Sequence, residues 1–86
     1  MPEVSRFYGI IIRIYFADHN PPHFHAYYAN DSVEIDINRL TVMAGQIPER
    51  ALSMVLEWAR LHQAELLAAF LAAQESQPIR KIAPLP

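Results

Sequence analysis

Two hydrophobic patterns divide this chain. From residue 7 to residue 37, apolar and polar side chains alternate, which is the period of a strand whose two faces meet different surroundings. From residue 48 to residue 74, apolar side chains recur at every third or fourth position, which is the spacing of a helix. The pattern therefore predicts an α+β domain in which a small antiparallel sheet packs against a long C-terminal helix.

The alternating half predicts a meander of three to four strands. The first strand is expected over residues 7–16, with the isoleucines at 10, 12 and 14 on one face. The second and third, residues 24–28 and 32–37, flank Asn30-Asp31, a pair that suits a two-residue hairpin turn. A short fourth strand is expected over residues 41–44 after a turn at residues 38–40.

The hairpin turn fixes which side chains meet across the second and third strands. With Asn30-Asp31 as the turn, His25 pairs with Asp36 and Tyr27 pairs with Glu34. The apolar face then holds Phe24, Ala26, Tyr28, Val33, Ile35 and Ile37, and the polar face holds His23, His25, Tyr27, Glu34 and Asp36. A one-residue shift in the pairing of the two strands would bury the carboxylates of Glu34 and Asp36. The pattern therefore specifies well which residues lie on each face.

The helical half begins at Pro48, a residue suited to the first turn of a helix. The apolar phase weakens at His62-Gln63, so we expect either one bent helix to about Gln74, which we prefer, or two helices with a break near His62. A helix of about 26 residues would be roughly 39 Å long, whereas strands span about 17–20 Å. The overhanging residues 66–73 therefore predict a homo-oligomer or hetero-oligomer, and the proline-rich residues 77–86 predict an extended tail.

Composition narrows the class of protein. A chain of 86 residues predicts a single domain over residues 1–86 with one small core. The absence of cysteine excludes disulfide scaffolds and thiolate metal sites, and the net charge of −2 counts against binding nucleic acid by bulk electrostatics. There is no signal-peptide pattern and no apolar run near the ~20 residues that cross a bilayer, so we expect a cytoplasmic protein without membrane contact.

The candidate functional stretch is a histidine-rich corner. The pair Pro21-Pro22 is flanked by His19, His23 and His25. Because a proline restricts its own backbone dihedral angles and those of the preceding residue, the corner should be stiff. His23 and His25 are two apart in a predicted strand, which places them on one face with α-carbons about 7 Å apart. We expect the three imidazoles to converge at one accessible pocket.

One interpretation of this surface is acid–base catalysis. His23 or His25 would transfer protons, Asp36 would orient the ring opposite it, and Arg13 would neutralise a phosphate or a developing oxyanion. Such a set would serve a metal-independent ribonuclease. The competing interpretation is a solvated sheet face with ordinary cross-strand pairs.

A second interpretation is a metal site. His19, His23 and His25 supply three imidazoles, and Asp18, Asp36 or His62 could complete a zinc site. The competing interpretation is that the histidines bond to the backbone and only stabilise the turn. A lone histidine between apolar helix positions, such as His62, is more typical of a half-buried core residue.

Several blocks of sequence carry a resemblance to a known family. They are Ser5-Arg6-Phe7-Tyr8-Gly9-Ile10, Asp18-His19-Asn20-Pro21-Pro22-His23-Phe24-His25, Glu34-Ile35-Asp36-Ile37, Gly45 with Pro48, Leu56-Glu57-Trp58 with Leu61-His62, Glu65-Leu66, and Ile82-Ala83-Pro84-Leu85. Over nearly its whole length the chain resembles the bacterial family called domain of unknown function 4160. It departs from that family in the second turn, where Arg39 or Leu40 replaces the family's glycine. The resemblance implies a small prokaryotic protein whose partner is a second small protein encoded by a neighbouring gene, as in a toxin–antitoxin pair.

Three functions follow as expectations. The first is an RNA-directed enzyme of the toxin type, the second a non-catalytic antitoxin or adaptor that binds a partner, and the third a small metal-binding protein. The acidic net charge weakens the first. The lack of a disordered arm or a DNA-reading helix weakens the antitoxin form of the second.

Overall fold

A five-stranded antiparallel sheet and two helices enclose one hydrophobic core. The computed structural model describes residues 2–86. The elements are β1 (Glu3–Phe7), β2 (Ile10–Arg13), β3 (His23–Tyr28), β4 (Asp31–Asp36), β5 (Val42–Gln46), α1 (Glu49–Leu61) and α2 (Gln63–Gln74). The sheet order is β1-β2-β3-β4-β5, so each strand pairs with its neighbours in sequence. The α+β meander is confirmed, but residues 2–86 form five strands rather than three or four, and two helices rather than one.

The extra strand is β1, which forms a tight hairpin with β2. Phe7 pairs with Ile10, and the two residues between them, Tyr8 and Gly9, have φ values of 49° and 79°. Positive φ at both central residues is the requirement of the two-residue hairpin turn whose twist matches antiparallel strands. The predicted first strand at residues 7–16 is therefore wrong at its start, because the chain reverses at Gly9 instead of continuing.

The faces of β3 and β4 are as predicted, but their register differs by two residues. The hairpin turn is Ala29-Asn30, flanked by the pair Tyr28 and Asp31. Ala29 takes the left-handed conformation with φ 52°, a strain that a propensity argument does not favour for alanine. A shift of two residues exchanges partners without exchanging faces, since side chains alternate with period two.

The partners exchanged in this way are those of the polar face. His25 pairs with Glu34 rather than Asp36, and Tyr27 pairs with Ser32 rather than Glu34. Asp36 is the cross-strand neighbour of His23. The predicted pairs His25–Asp36 and Tyr27–Glu34 are therefore wrong.

The helix breaks at His62, where φ and ψ are −123° and 25°. Beyond the break α2 packs against β3, and its apolar side chains at positions 66, 69, 70 and 73 are buried in the same chain. The Gln63 side chain donates to the carbonyls of Ile37 and Asn38, at 2.7 and 3.0 Å, which fixes the start of α2 beside the sheet. The preferred prediction of a single helix is therefore wrong. Residues 66–73 do not extend beyond the sheet, so the reason given for an oligomer is also wrong. The oligomeric state itself stays a prediction.

The C-terminal residues 77–86 form neither helix nor strand, as expected of an extended tail. The tail is fastened to the domain, because the Ile82 amide donates to the Val4 carbonyl at 2.8 Å and the Trp58 indole donates to the Ala83 carbonyl at 2.8 Å. Trp58 is fully buried, as predicted for a core residue. Within residues 2–86, no helix combines the length and hydrophobicity that crossing a membrane requires.

Candidate metal centre

The corner between β2 and β3 is held in place by the end of α2. The Ala17 amide donates to the Ala73 carbonyl at 3.1 Å, and the Gln74 side chain lies 3.4 Å from both the Asp18 carbonyl and the Asn20 side-chain oxygen. The Asn20–Pro21 peptide bond is cis. These contacts set Asp18 above the first residues of β3.

His23, the first residue of β3, is buried although it lies on the polar face. Its side chain is 5% exposed, and its ring centroid lies 5.6 Å from that of Phe70 in α2. Its Nδ1 lies 2.8 Å from the Pro21 carbonyl oxygen. Because a carbonyl oxygen can only accept, Nδ1 must carry the hydrogen, and in the neutral ring the lone pair is then on Nε2.

Three potential ligand atoms converge at this point. Asp18 Oδ2 lies 3.0 Å from His23 Nε2 and 3.4 Å from His25 Nε2. One ligand atom from each of Asp18, His23 and His25 lies within 4.8 Å of the other two. Glu34 adds a second carboxylate, with Oε1 at 3.7 Å from His23 Nε2. Two imidazoles and one or two carboxylates are a donor set that suits zinc and other first-row transition metals.

The Asp18 carboxyl group favours its ionised form. Burial raises the pKa of Asp18, but the hydrogen bond from His25, the charge of His23 and the His19 backbone amide at 3.2 Å outweigh burial and hold the pKa below its usual value. The cluster therefore presents a carboxylate at neutral pH.

Aromatic side chains fix the orientation of His25. The Tyr15 ring meets the His25 ring edge-on at 4.6 Å, and the Tyr27 ring stacks against it at 6.4 Å. The hydroxyl groups of Tyr15 and Tyr27 hydrogen-bond to each other. Burial, followed by the hydrogen bond and the nearby Tyr15 group, raises the pKa of Tyr27 to about 12. The Arg13 guanidinium carbon lies 5.3 Å from the Tyr27 ring centroid.

The structure brings together only part of the predicted site. His23 and His25 converge with Asp18, which was one of three alternatives for a further ligand. His19 does not join them, since its side chain is 94% exposed. The prediction that all three corner histidines converge is therefore wrong for His19, because the chain turns away from the cluster after Asp18.

Asp36 and His62 also lie outside the cluster. The Asp36 carboxylate accepts the Arg39 amide hydrogen at 2.8 Å, so it stabilises the turn between β4 and β5. His62 Nδ1 lies 2.6 Å from Glu65 Oε1, and the ring is largely buried, as expected for a satisfied histidine of the helix. Glu34 takes the place predicted for Asp36 because of the two-residue difference in register.

Comparison with known proteins gives a family and no established activity. The family model described as Domain of unknown function (DUF4160) matches residues 9–70, which is most of the 86-residue chain and includes the whole cluster. Searches of curated proteins and of solved structures found no significant match. The chain therefore belongs to the family Domain of unknown function (DUF4160).

Proposed function

We propose that this protein binds one divalent transition-metal ion, such as zinc, through Asp18, His23 and His25. The observation that carries the proposal is the hydrogen bond from His23 Nδ1 to the Pro21 carbonyl. Ligating histidines commonly donate their second ring N–H to a backbone carbonyl or a carboxylate, which fixes the tautomer and the ring orientation. Here the bond turns the Nε2 lone pair towards the other two ligand atoms.

When the His23 ring is neutral, a cation is needed between its Nε2 and the Asp18 carboxylate. A lone pair on His23 Nε2 and a carboxylate oxygen of Asp18, 3.0 Å apart, are both acceptors, and the Glu34 carboxylate adds further negative charge at 3.7 Å. Either a proton on Nε2 or a metal ion resolves the conflict. The metal ion also engages His25 Nε2, which lies 3.4 Å from the same Asp18 oxygen.

The two distances from Asp18 can be compared with tetrahedral zinc coordination. Bonds of about 2.0–2.1 Å to zinc place tetrahedral ligand atoms about 3.3–3.5 Å apart. The two distances from Asp18 Oδ2, 3.0 and 3.4 Å, lie close to that range. Three protein ligands leave a coordination position for water or substrate, which is typical of a catalytic rather than a structural zinc site. Glu34, whose Oε1 lies 3.7 Å from His23 Nε2, would be the carboxylate beside such a site and could serve as a base there.

This proposal changes the roles expected for the acid–base residues. Asp36 is engaged in a turn, and the ring of His23 is too buried to exchange protons with a bulky substrate. His25 becomes a ligand, and Arg13 keeps its expected place beside it on the polar face. An RNA substrate, a partner encoded by a neighbouring gene and a cytoplasmic location stay predictions.

Metal titration tests the proposal. The protein, prepared without a histidine tag and stripped with EDTA, is titrated with Zn²⁺ against a chromophoric chelator, and bound zinc is counted after gel filtration. We expect one equivalent of zinc, and an affinity at least 100-fold lower in Asp18→Asn and in His25→Ala. His62→Ala is the matched control and should bind like the unmodified protein, because His62 lies outside the cluster.

Two results would overturn the proposal. One is the absence of stoichiometric zinc, cobalt or iron binding in the unmodified protein, which would assign a proton to His23 Nε2 and make the cluster a buried ion pair. The other is equal binding by all variants, which would indicate adventitious metal. Far-UV circular dichroism of Asp18→Asn and His25→Ala checks that each variant remains folded.

A further inference from the structure

Arg13 is the nearest cation to the proposed metal centre in the sheet. It ends β2 directly opposite His25 of β3, so the two side chains share the polar face. Directly opposed residues in antiparallel strands have β-carbons about 4.5–5.5 Å apart. The Arg13 side chain therefore lies beside that of a proposed ligand, His25.

Arg13 also lacks the partners that a partly buried guanidinium normally has. Its Nε is buried and has no hydrogen-bond partner among residues 2–86. No ion pair in that part of the chain involves Arg13. By contrast, Arg6 on the neighbouring strand is paired with Glu3 through two bonds of 2.7 and 3.1 Å.

An unpaired N–H group away from water lowers the stability of a folded protein. The Tyr27 ring, 5.3 Å from the guanidinium carbon, supports the charge from one side without satisfying its donors. The guanidinium fork is a geometry that matches the oxygens of a phosphate. The two terminal nitrogens of Arg13 are not buried, and they form no hydrogen bond with residues 2–86. They are therefore free to donate to an anion that arrives with the substrate.

We propose that the substrate of the metal centre is a phosphodiester, bound with one phosphate oxygen on the metal ion and another accepting hydrogen bonds from Arg13. This inference rests on the proposed metal site. The net charge of the site selects the diester. The two carboxylates, Asp18 and Glu34, neutralise the two positive charges of the metal ion. The guanidinium of Arg13 then adds one positive charge, which a substrate with one negative charge would neutralise. A phosphodiester carries one negative charge, whereas a phosphomonoester carries close to two at neutral pH.

Cobalt-loaded protein provides the test, because the visible absorption of Co²⁺ changes when its coordination changes. Dimethyl phosphate, a diester with no other recognition group, is titrated into the loaded unmodified protein and into Arg13→Met. We expect the dissociation constant to rise at least tenfold in Arg13→Met, with partial recovery in Arg13→Lys, while each variant still binds one equivalent of cobalt. Arg6→Met is the matched control and should bind dimethyl phosphate like the unmodified protein.

Two further readouts sharpen the test. Methyl phosphate, a monoester, should bind more weakly than dimethyl phosphate at pH 7.5. The melting temperature of metal-free Arg13→Met should equal or exceed that of the unmodified protein, because the substitution removes an unsatisfied buried N–H. A lower melting temperature would show that Arg13 stabilises the fold, and would overturn the argument from its missing partner.

The failures are distinguishable. Failure to bind cobalt would overturn the metal site and this inference with it. Binding of one cobalt ion with equal dimethyl phosphate affinity in Arg13→Met and in the unmodified protein would overturn only this inference. Tighter binding of methyl phosphate than of dimethyl phosphate would overturn the assignment to diesters.

Discussion

His23 and His62 have nearly the same local setting, but different groups surround them. The rings of His23 and His62 are 5% and 18% exposed, and each lies 5.6 Å from a core aromatic ring, Phe70 and Trp58 respectively. Each ring also forms a hydrogen bond through Nδ1. Burial and local bonding therefore do not separate a candidate ligand from a structural histidine.

The two histidines differ in the number of potential ligand groups that lie close to their rings. His62 bonds to Glu65 one turn further along the helix, and no second ligand group joins it in the part of the chain that the structure describes. His23 bonds to a backbone carbonyl, and its Nε2 meets Asp18 from the corner and His25 from the same strand. A ligand site depends on groups from separate segments, and within residues 2–86 only the corner brings three such groups together.

The largest expected effect that tests this comparison is stabilisation by zinc. A ligand at 100 times its dissociation constant stabilises the folded state by about 2.7 kcal/mol, which for a domain of this size raises the melting temperature by roughly 10–20 °C. We expect this rise in the unmodified protein and in His62→Ala, and not in His25→Ala, by differential scanning calorimetry. The comparison fails if His62→Ala loses the rise or His25→Ala keeps it.

The sequence alone predicted the faces of the sheet, because alternation survives a change of register. It did not predict which residue stands opposite His25, since that depends on whether Ala29-Asn30 or Asn30-Asp31 forms the turn. Turn propensity favoured the second, and the structure has the first with Ala29 at φ 52°. An error of two residues was enough to assign Asp36 to the site in place of Glu34.

The corner could be recognised from its histidines, but its arrangement could not. Whether Asp18 or His19 turns inward depends on contacts with α2, such as the bond between Gln74 and the Asp18 carbonyl, 56 residues apart in sequence. Such contacts have no local pattern in the sequence. They also depend on the break at His62, which brings α2 back over the sheet.

The next effect in size is the cost of removing each histidine from the metal-free protein. His23→Ala removes a buried ring that packs against Phe70 and donates to the Pro21 carbonyl, so we expect a loss of about 1–3 kcal/mol in the free energy of unfolding. His62→Ala removes a bond to a largely exposed Glu65 side chain, and we expect a loss within about 1 kcal/mol. Urea unfolding with EDTA present measures both, and equal losses would show that the two settings are energetically equivalent.

The smallest effect concerns the pair of tyrosines that contact His25, whereas His62 has the Trp58 ring beside it. The pKa of Tyr27 is raised from 10.0 to about 12, chiefly by burial and then by its bond to Tyr15. Between pH 10 and 12 the unfolded chain therefore releases this proton while the folded chain keeps it, so the free energy of unfolding falls as pH rises. The stabilisation is complete below pH 10 and lost above about pH 12, and solvent screening of a partly exposed phenol limits it to about 1 kcal/mol. Urea unfolding at pH 9, 10 and 11 measures this decline. The free energy of unfolding should fall more steeply with pH in the unmodified protein than in Tyr27→Phe, which has no titrating group at position 27. Parallel declines would mean that the Tyr27 hydroxyl is as well solvated in the folded protein as in the unfolded chain.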